Sequence, residues 1–359
     1  MERDLEGQVA LVAGATRGCG RGIAVALGER GATVVCTGRS SRRDSGRGGP
    51  GRPFDLTRRP EVIEDTADQV DAAGGRGIAV VVDHRDPAAL AALADRIRHE
   101  LGRLDVLVVD LWGQEDRIQF GAPIWQLDAE VGLGAVTAVA ETHARTLRAF
   151  VPLVLEGRDG VVIEVTDGDF GGYRGQAYYD LAKVVPTRLA YALWCDLLGA
   201  GRADVTSVAV TPGFLRSEAM LEHFGVTEAN WQDAVANEPM YAESETPRFV
   251  GRGIAALCAD SGRTRWSGRA TSSWELARAY DVVDVDGRKP DWGAFFDDVV
   301  EAAARDGDPS DAGTVGLVRA RWLQIHQDPQ RRAFAERLGR FLRVGSTTEP
   351  QSSPSLPEE

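Results

Sequence analysis

Short apolar runs rich in β-branched residues alternate along this chain with longer stretches whose apolar positions recur at helical spacing. Runs at Val9–Ala13, Thr33–Thr37, Ile78–Val82, Val106–Asp110, Val161–Val165 and Val205–Val210 predict six strands. Helices are predicted at Arg21–Arg30, from Asp86-Pro87 to about Leu101, at Leu133–Leu155 and at Tyr178–Leu198. Asp86 can cap free N–H groups and Pro87 suits a first turn. Strands that are apolar throughout and separated by helices predict an α/β fold, a parallel sheet covered on both faces.

Three segments break this rhythm. Residues 40–59 are rich in Gly, Arg, Ser and Pro and read as a flexible basic loop. Phe214–Thr246 carries short helical pieces ahead of a helix capped by Thr246-Pro247, and is placed to cover a substrate pocket. From Asp291 a helical extension is expected, at Trp292–Ala304 and Val315–Leu342. The expected division is a nucleotide-binding domain over 1–290 with an insertion at 214–247, a helical extension over 291–344 and a disordered Ser/Pro/Glu-rich tail over 345–359.

Composition narrows the class. The net charge of −13 disfavours nucleic acid and anionic membranes as partners. No apolar run is long enough to span a bilayer, and the charged start, Met1-Glu2-Arg3-Asp4, does not read as a secretory leader. Cys19, Cys36, Cys195 and Cys258 are far apart, so neither a metal site nor a disulfide framework is expected, and a reduced, cytoplasmic protein is. Basic charge is almost all arginine. The two lysines, Lys183 and Lys289, are therefore informative positions.

The first chemical signal is Ala13-Gly14-Ala15-Thr16-Arg17-Gly18-Cys19-Gly20, between the first strand and the first helix. Gly14, Gly18 and Gly20 permit a tight turn and close approach of the backbone to a pyrophosphate, with Thr16 and Arg17 in the same loop. The second strand ends in Thr37-Gly38-Arg39, without the carboxylate that would hold the ribose hydroxyls of NAD(H). Arg39 suits the 2′-phosphate of NADP(H) instead, with Arg17 beside it; a solvated arginine surface is the plain alternative. Asp83 ends the third strand, either within reach of an adenine amino group or as a strand-end cap.

Tyr179 and Lys183 lie four apart, which on a helix puts phenol and ammonium on one face. A nearby ammonium favours tyrosinate and so suits proton exchange with a substrate oxygen. Thr166 lies thirteen residues before Tyr179, at the end of the fifth strand, where its hydroxyl can orient a carbonyl oxygen. Pro212-Gly213 follows the sixth strand, with Ser217 four residues on, and can pass along a nicotinamide carboxamide. Each feature also has a plain structural reading, as a surface pair, a strand end or a turn.

Order and spacing together resemble the short-chain dehydrogenase/reductase family over roughly Leu5 to Gly287. A longer branch with mammalian members is suggested by Trp112-Gly113, by Val82-Asp83-His84, which adds His84 to the cofactor-binding set, and by the run from Ser244 to Arg252. The resemblance implies a Rossmann-type, doubly wound seven-stranded sheet ordered 3-2-1-4-5-6-7. It implies hydride transfer between NADP(H) and a carbonyl or secondary alcohol, with Tyr179 as acid/base, Lys183 binding the nicotinamide ribose and Thr166 in place of the usual serine. It also implies a homodimer or homotetramer built on the two long helices. The apolar residues of Phe214–Phe224 and Trp231 suggest a large, partly apolar substrate.

Two departures stand out. Val109-Asp110-Leu111-Trp112 replaces the family's Asn-Asn-Ala-Gly, so Val109 loses the side chain that ties this strand to the cofactor loop. No asparagine precedes Asn230, so the tetrad asparagine that holds a water near the lysine is missing; Thr137, Thr142 or His143 is left to hold it. Non-redox chemistry of the epimerase or dehydratase kind, or a cofactor-binding scaffold with little catalysis, are the other functional readings.

Overall fold

The computed structural model describes residues 3–44, 59–168 and 175–306. Seven strands form one parallel sheet in the order β3-β2-β1-β4-β5-β6-β7. They are β1 Val9–Ala13, β2 Thr33–Gly38, β3 Arg76–Val81, β4 Val106–Val109, β5 Val161–Val165, β6 Thr206–Thr211 and β7 Ala270–Ser272. The crossover helices are α1 Gly18–Glu29, α2 Ile63–Ala72, α3 Pro87–Glu100, α4 Ala129–Glu156 and α5 Ala177–Gly199. After β6 come α6 Glu218–Phe224, α7 Pro247–Ala259, α8 Ser273–Tyr280 and α9 Trp292–Asp306.

Alternate side chains of each strand feed two cores, as a two-residue repeat requires. Ala10 and Val12 of β1 pack with Ile23 and Leu27 of α1 and with Val250 and Ile254 of α7. Val9 and Leu11 pack on the other face with Leu90 and Ile97 of α3, Phe150 and Val154 of α4, and Leu197 of α5. Helices α1 and α7 touch backbone to backbone: a Cβ on Gly251 would lie 2.5 Å from the Gly22 carbonyl oxygen.

The expected strands and helices are found, with shifts at their ends. Asp128 caps α4 by accepting from Val131 N–H, so the helix starts at Ala129, in a first turn that apolar periodicity does not mark. β7 has three residues, too few for a strand pattern to register. The unit that carries the sheet runs on to Asp298, past the expected boundary at 290, because the first turn of α9 packs on α8. Trp292 lies against Trp274 (6.2 Å between ring centroids), and Arg278 holds Asp291. Most of the 40–59 loop and the expected elements beyond 306 lie outside the described residues.

The segment after β6 does consist of short helical pieces. Besides α6 it has 3-10 turns at Trp231–Ala236 and Pro239–Glu243. A knot of side chains fastens them. Tyr241 is buried among Phe214, Phe224 and Trp231. Beside it the fully buried Arg216 guanidinium lies 4.5 Å from the Trp231 ring centroid and pairs with Asp286 (2.7 Å) and Glu228 (3.1 Å). It also donates to the Ser244 carbonyl at 2.7 Å. A buried cation is tolerable only with such a set of partners.

All four cysteines are free thiols. Among the described residues no cluster of potential metal ligands occurs, and no helix is long and apolar enough to cross a membrane.

Candidate active site

The C-terminal ends of β1, β4, β5 and β6 converge on the first turns of α1 and α5. Gly14 leaves β1 with φ +89, and a Cβ there would sit 1.9 Å from the Asp110 carbonyl oxygen; only glycine fits. Asp110, one residue past β4, is partly buried and its carboxylate accepts from Gly20 N–H. The tie between strand and glycine loop that Val109 cannot make is thus made by Asp110. Burial pushes Asp110 up to about 6, against the pull of the Lys183 ammonium.

Gly18 opens α1, and its N–H donates to Glu218 of α6 at 2.8 Å; Arg21 holds the other carboxylate oxygen at 3.1 Å. Ser217 caps α6 beside Gly18. The Thr16 hydroxyl packs against Gly38, where a Cβ would collide with it. Arg17 turns to Glu61 (3.7 Å), which also holds Arg59, and burial lowers its pKa. At the end of β2, Arg39 is exposed and makes no ion pair among the described residues, while Arg42 is taken by Asp65 and Asp68. Asp83 pairs with Arg85, which holds it at about 2, and Arg39 adds to the effect.

His84 is not at the cofactor cleft. It is buried in the core, one ring nitrogen 2.9 Å from the Thr37 hydroxyl and the other 2.8 Å from that of Thr146. Burial drops it to about 4, so it is a neutral core histidine with both nitrogens engaged.

Tyr179 and Lys183 occupy the first two turns of α5, whose N-cap Gln176 accepts from Tyr179 N–H at 2.7 Å. The edges and faces of Trp112 and Phe120 meet the Tyr179 ring, each with 5.3 Å between centroids. The Lys183 ammonium lies 3.9 Å from the Trp112 ring centroid and 5.3 Å from that of Tyr179. Thr166 is close by, but its hydroxyl donates to the backbone carbonyl of Lys183. The group that meets the phenol is Asp167, to which the Tyr179 hydroxyl donates.

Pro212-Gly213 also reaches the site. Gly213 N–H donates to Glu245 at 3.0 Å and to Ser273 at 3.2 Å. Of the residues expected to hold a water for the lysine, Thr142 donates to its own helix at Ala138 (2.8 Å). His143 lies fully buried between the Leu111 carbonyl (2.9 Å) and Glu164 (2.5 Å). The buried carboxylate raises the His143 pKa and burial raises that of Glu164, so the pair keeps its shared proton.

Sequence reasoning missed Asp110, Glu164, Asp167 and Glu245. Glu164 had a signal: a carboxylate inside an otherwise apolar strand demands a buried partner. The site suits a dinucleotide. Gly14 and Gly20 sit where a Cβ would strike backbone, and the first turn of α1 carries no acidic residue of its own. Gly14, Gly18 and Gly20 would face its phosphates, and Tyr179 and Lys183 its nicotinamide end.

The family model described as enoyl-(acyl carrier protein) reductase matches residues 54–265. Dehydrogenase/reductase SDR family member 1 of Mus musculus is 28% identical over 300 residues, covering 80% of this chain and 86% of that protein. The Escherichia coli 3-oxoacyl-acyl-carrier-protein reductase FabG is 27% identical over 220 residues, covering 60% of this chain and 76% of that one. Among solved structures, carveol dehydrogenase from Mycobacterium avium in complex with NAD superposes with a TM-score of 0.59 at 22% identity, over 76% of this chain and 97% of that one.

Proposed function

The chain belongs to the short-chain dehydrogenase/reductase family and is an NAD(P)-dependent oxidoreductase, and we propose that it moves hydride between NADP(H) and a carbonyl or secondary alcohol with Tyr179 as acid/base. The placement of Tyr179 and Lys183 on one face at the start of α5, above the ends of β4 and β5, carries this reading. The nicotinamide supplies or accepts the hydride when bound. Tyr179 gives its phenolic proton to the oxygen of a carbonyl undergoing reduction, or takes one from an alcohol. Lys183 puts a positive charge beside the phenol and favours the phenolate left behind. Thr166 holds the Lys183 carbonyl and so fixes the turn of α5 that carries both groups. Trp112 and Phe120 pack against the phenol ring and set its orientation.

NADP(H) rather than NAD(H) is supported by Arg39, exposed at the end of β2 and without an ion pair among the described residues. A large, partly apolar substrate is supported by Trp112 and Phe120 beside the phenol. Exposed Val131 and Leu133 on α4, with Leu181 and Leu198 on α5, support pairing of two copies through these helices.

The test is Tyr179→Phe, assayed by NADPH oxidation against a panel of ketones, aldehydes and quinones. Turnover should fall at least about 10²-fold, the lower range for acid–base catalysis, with NADPH affinity nearly intact. A Phe variant with full rate would overturn the proposal.

A further inference from the structure

We infer that Asp167 returns the proton to Tyr179 after each turnover, acting through the phenol as a relay to solvent. The inference rests on the reading of Tyr179 as the acid.

Four observations converge on it. The Tyr179 hydroxyl donates to the Asp167 carboxylate, so a path for one proton between them already exists. Asp167 lies just past β5, in a turn fixed by the Gly168 N–H donating to the Thr211 hydroxyl at 2.8 Å, and it is half-buried, so one side meets water. Two other candidate groups are engaged elsewhere. Thr166, expected to orient a substrate carbonyl oxygen beside the phenol, spends its hydroxyl on the Lys183 carbonyl. His143, one of the residues left to hold a water for the lysine, has both nitrogens engaged and is buried.

The proton balance is simple. In reduction, for which a bound nicotinamide would supply the hydride, the Tyr179 O–H bond breaks and a new O–H bond forms on the product alcohol. A phenolate is left beside Asp167. Water protonates the Asp167 carboxylate, leaving hydroxide to the bulk buffer. The acid then gives its proton to the phenolate along the same hydrogen bond and is again a carboxylate. One proton enters per turnover, and no electrons move beyond those of the hydride. Oxidation runs the same steps in reverse.

The test is Asp167→Asn, in stopped flow with NADPH and the carbonyl compound that the wild type reduces fastest. Tyr179 enters the first turnover already protonated. The variant should therefore show a burst of one equivalent of NADP⁺ at near wild-type rate, then a steady state slower by about 10–100-fold, at or below the low end of acid–base effects because water replaces part of the relay. NADPH affinity, read by fluorescence, should stay within about twofold. Asp167→Ala should be slow in the same way and recover with added formate, which fits the space and carries the proton; Asp167→Glu should keep most of the steady rate. An unchanged steady state would overturn the inference. So would a burst and steady state slowed alike, or no response to formate, since a purely positioning role predicts those. Tyr179→Phe separates the two readings: it should slow the first turnover itself. If it does and Asp167→Asn changes nothing, the relay alone is wrong.

Discussion

Replacing Glu245 by glutamine should change how stability responds to pH. Glu245 is fully buried between the turn after β6 and the start of α8. One carboxylate oxygen accepts from Gly213 N–H at 3.0 Å and the Ser273 hydroxyl at 2.6 Å; the other has no hydrogen-bond partner. Burial pushes this carboxyl from an ordinary 4.5 up to about 8, and Asp284 pushes the same way. The folded protein thus keeps a proton that the unfolded chain has lost. Stability from this group is fully present below pH 4.5 and is lost as pH rises through about 8. The gap converts to at most about 5 kcal/mol. Relaxation and water entry bring the expected effect to about 2–3 kcal/mol. Glutamine keeps the acceptor oxygen for Gly213 and Ser273 and does not titrate. Near pH 5 the two proteins should unfold at similar urea concentrations, followed by tryptophan fluorescence. By pH 9 the Gln variant should be the more stable by about 2–3 kcal/mol. A difference that is flat across this range would refute the reasoning. A wild type that gains on the variant as pH rises would show an ionised Glu245 paired with Arg216 instead.

Arg39→Ala should cut the preference for NADPH over NADH by about 10- to 100-fold, the worth of one charge-assisted contact; calorimetric titration of both cofactors checks it, and equal losses for both would refute it. Gly14→Ala should cost more than about 3 kcal/mol or prevent folding, because its Cβ meets the Asp110 carbonyl at 1.9 Å. Gly7→Ala has a similar φ, +81, but nothing within 4 Å, and should cost only about 1 kcal/mol in urea unfolding; equal costs would show that backbone strain and not the contact governs.

The sheet was legible because apolar strands buried on both faces announce themselves, and the order of motifs along the chain placed them. Gly14, Tyr179 and Lys183 were legible for a related reason: each lies at the junction of a strand and a helix, where spacing along the chain is also spacing in space. His84 was misread, since nothing local distinguishes a histidine facing a cleft from one held by two threonines under a sheet. The buried acids were hidden more deeply. Glu164 meets His143 from another element, Asp110 meets Gly20 across the sheet, and Glu245 meets Ser273 of α8. A hydrogen bond between residues far apart in sequence leaves no periodicity. Asp167 is masked by its neighbour Thr166, whose hydroxyl has the expected spacing but points to the backbone of α5.

The knot around Arg216 bears on how the substrate range of such a protein can change. Phe214, Arg216, Trp231, Tyr241 and Ser244 are fastened to one another and, through Asp286, to the turn before α9. Exchanging any one of them strands a buried charge or opens a hole, so the whole covering segment would loosen together. Ala219 and Met220 on α6 are not part of that fastening and are only half-buried. On the expectation that this segment covers the substrate, variation there reshapes its inner wall without undoing its attachment. The segment therefore separates two tasks on one short stretch of chain: a few positions hold it down, and the positions between them are open to selection for new substrates. A library aimed at altered specificity belongs on the second set, and alanine scanning of the first set would report on folding and not on recognition.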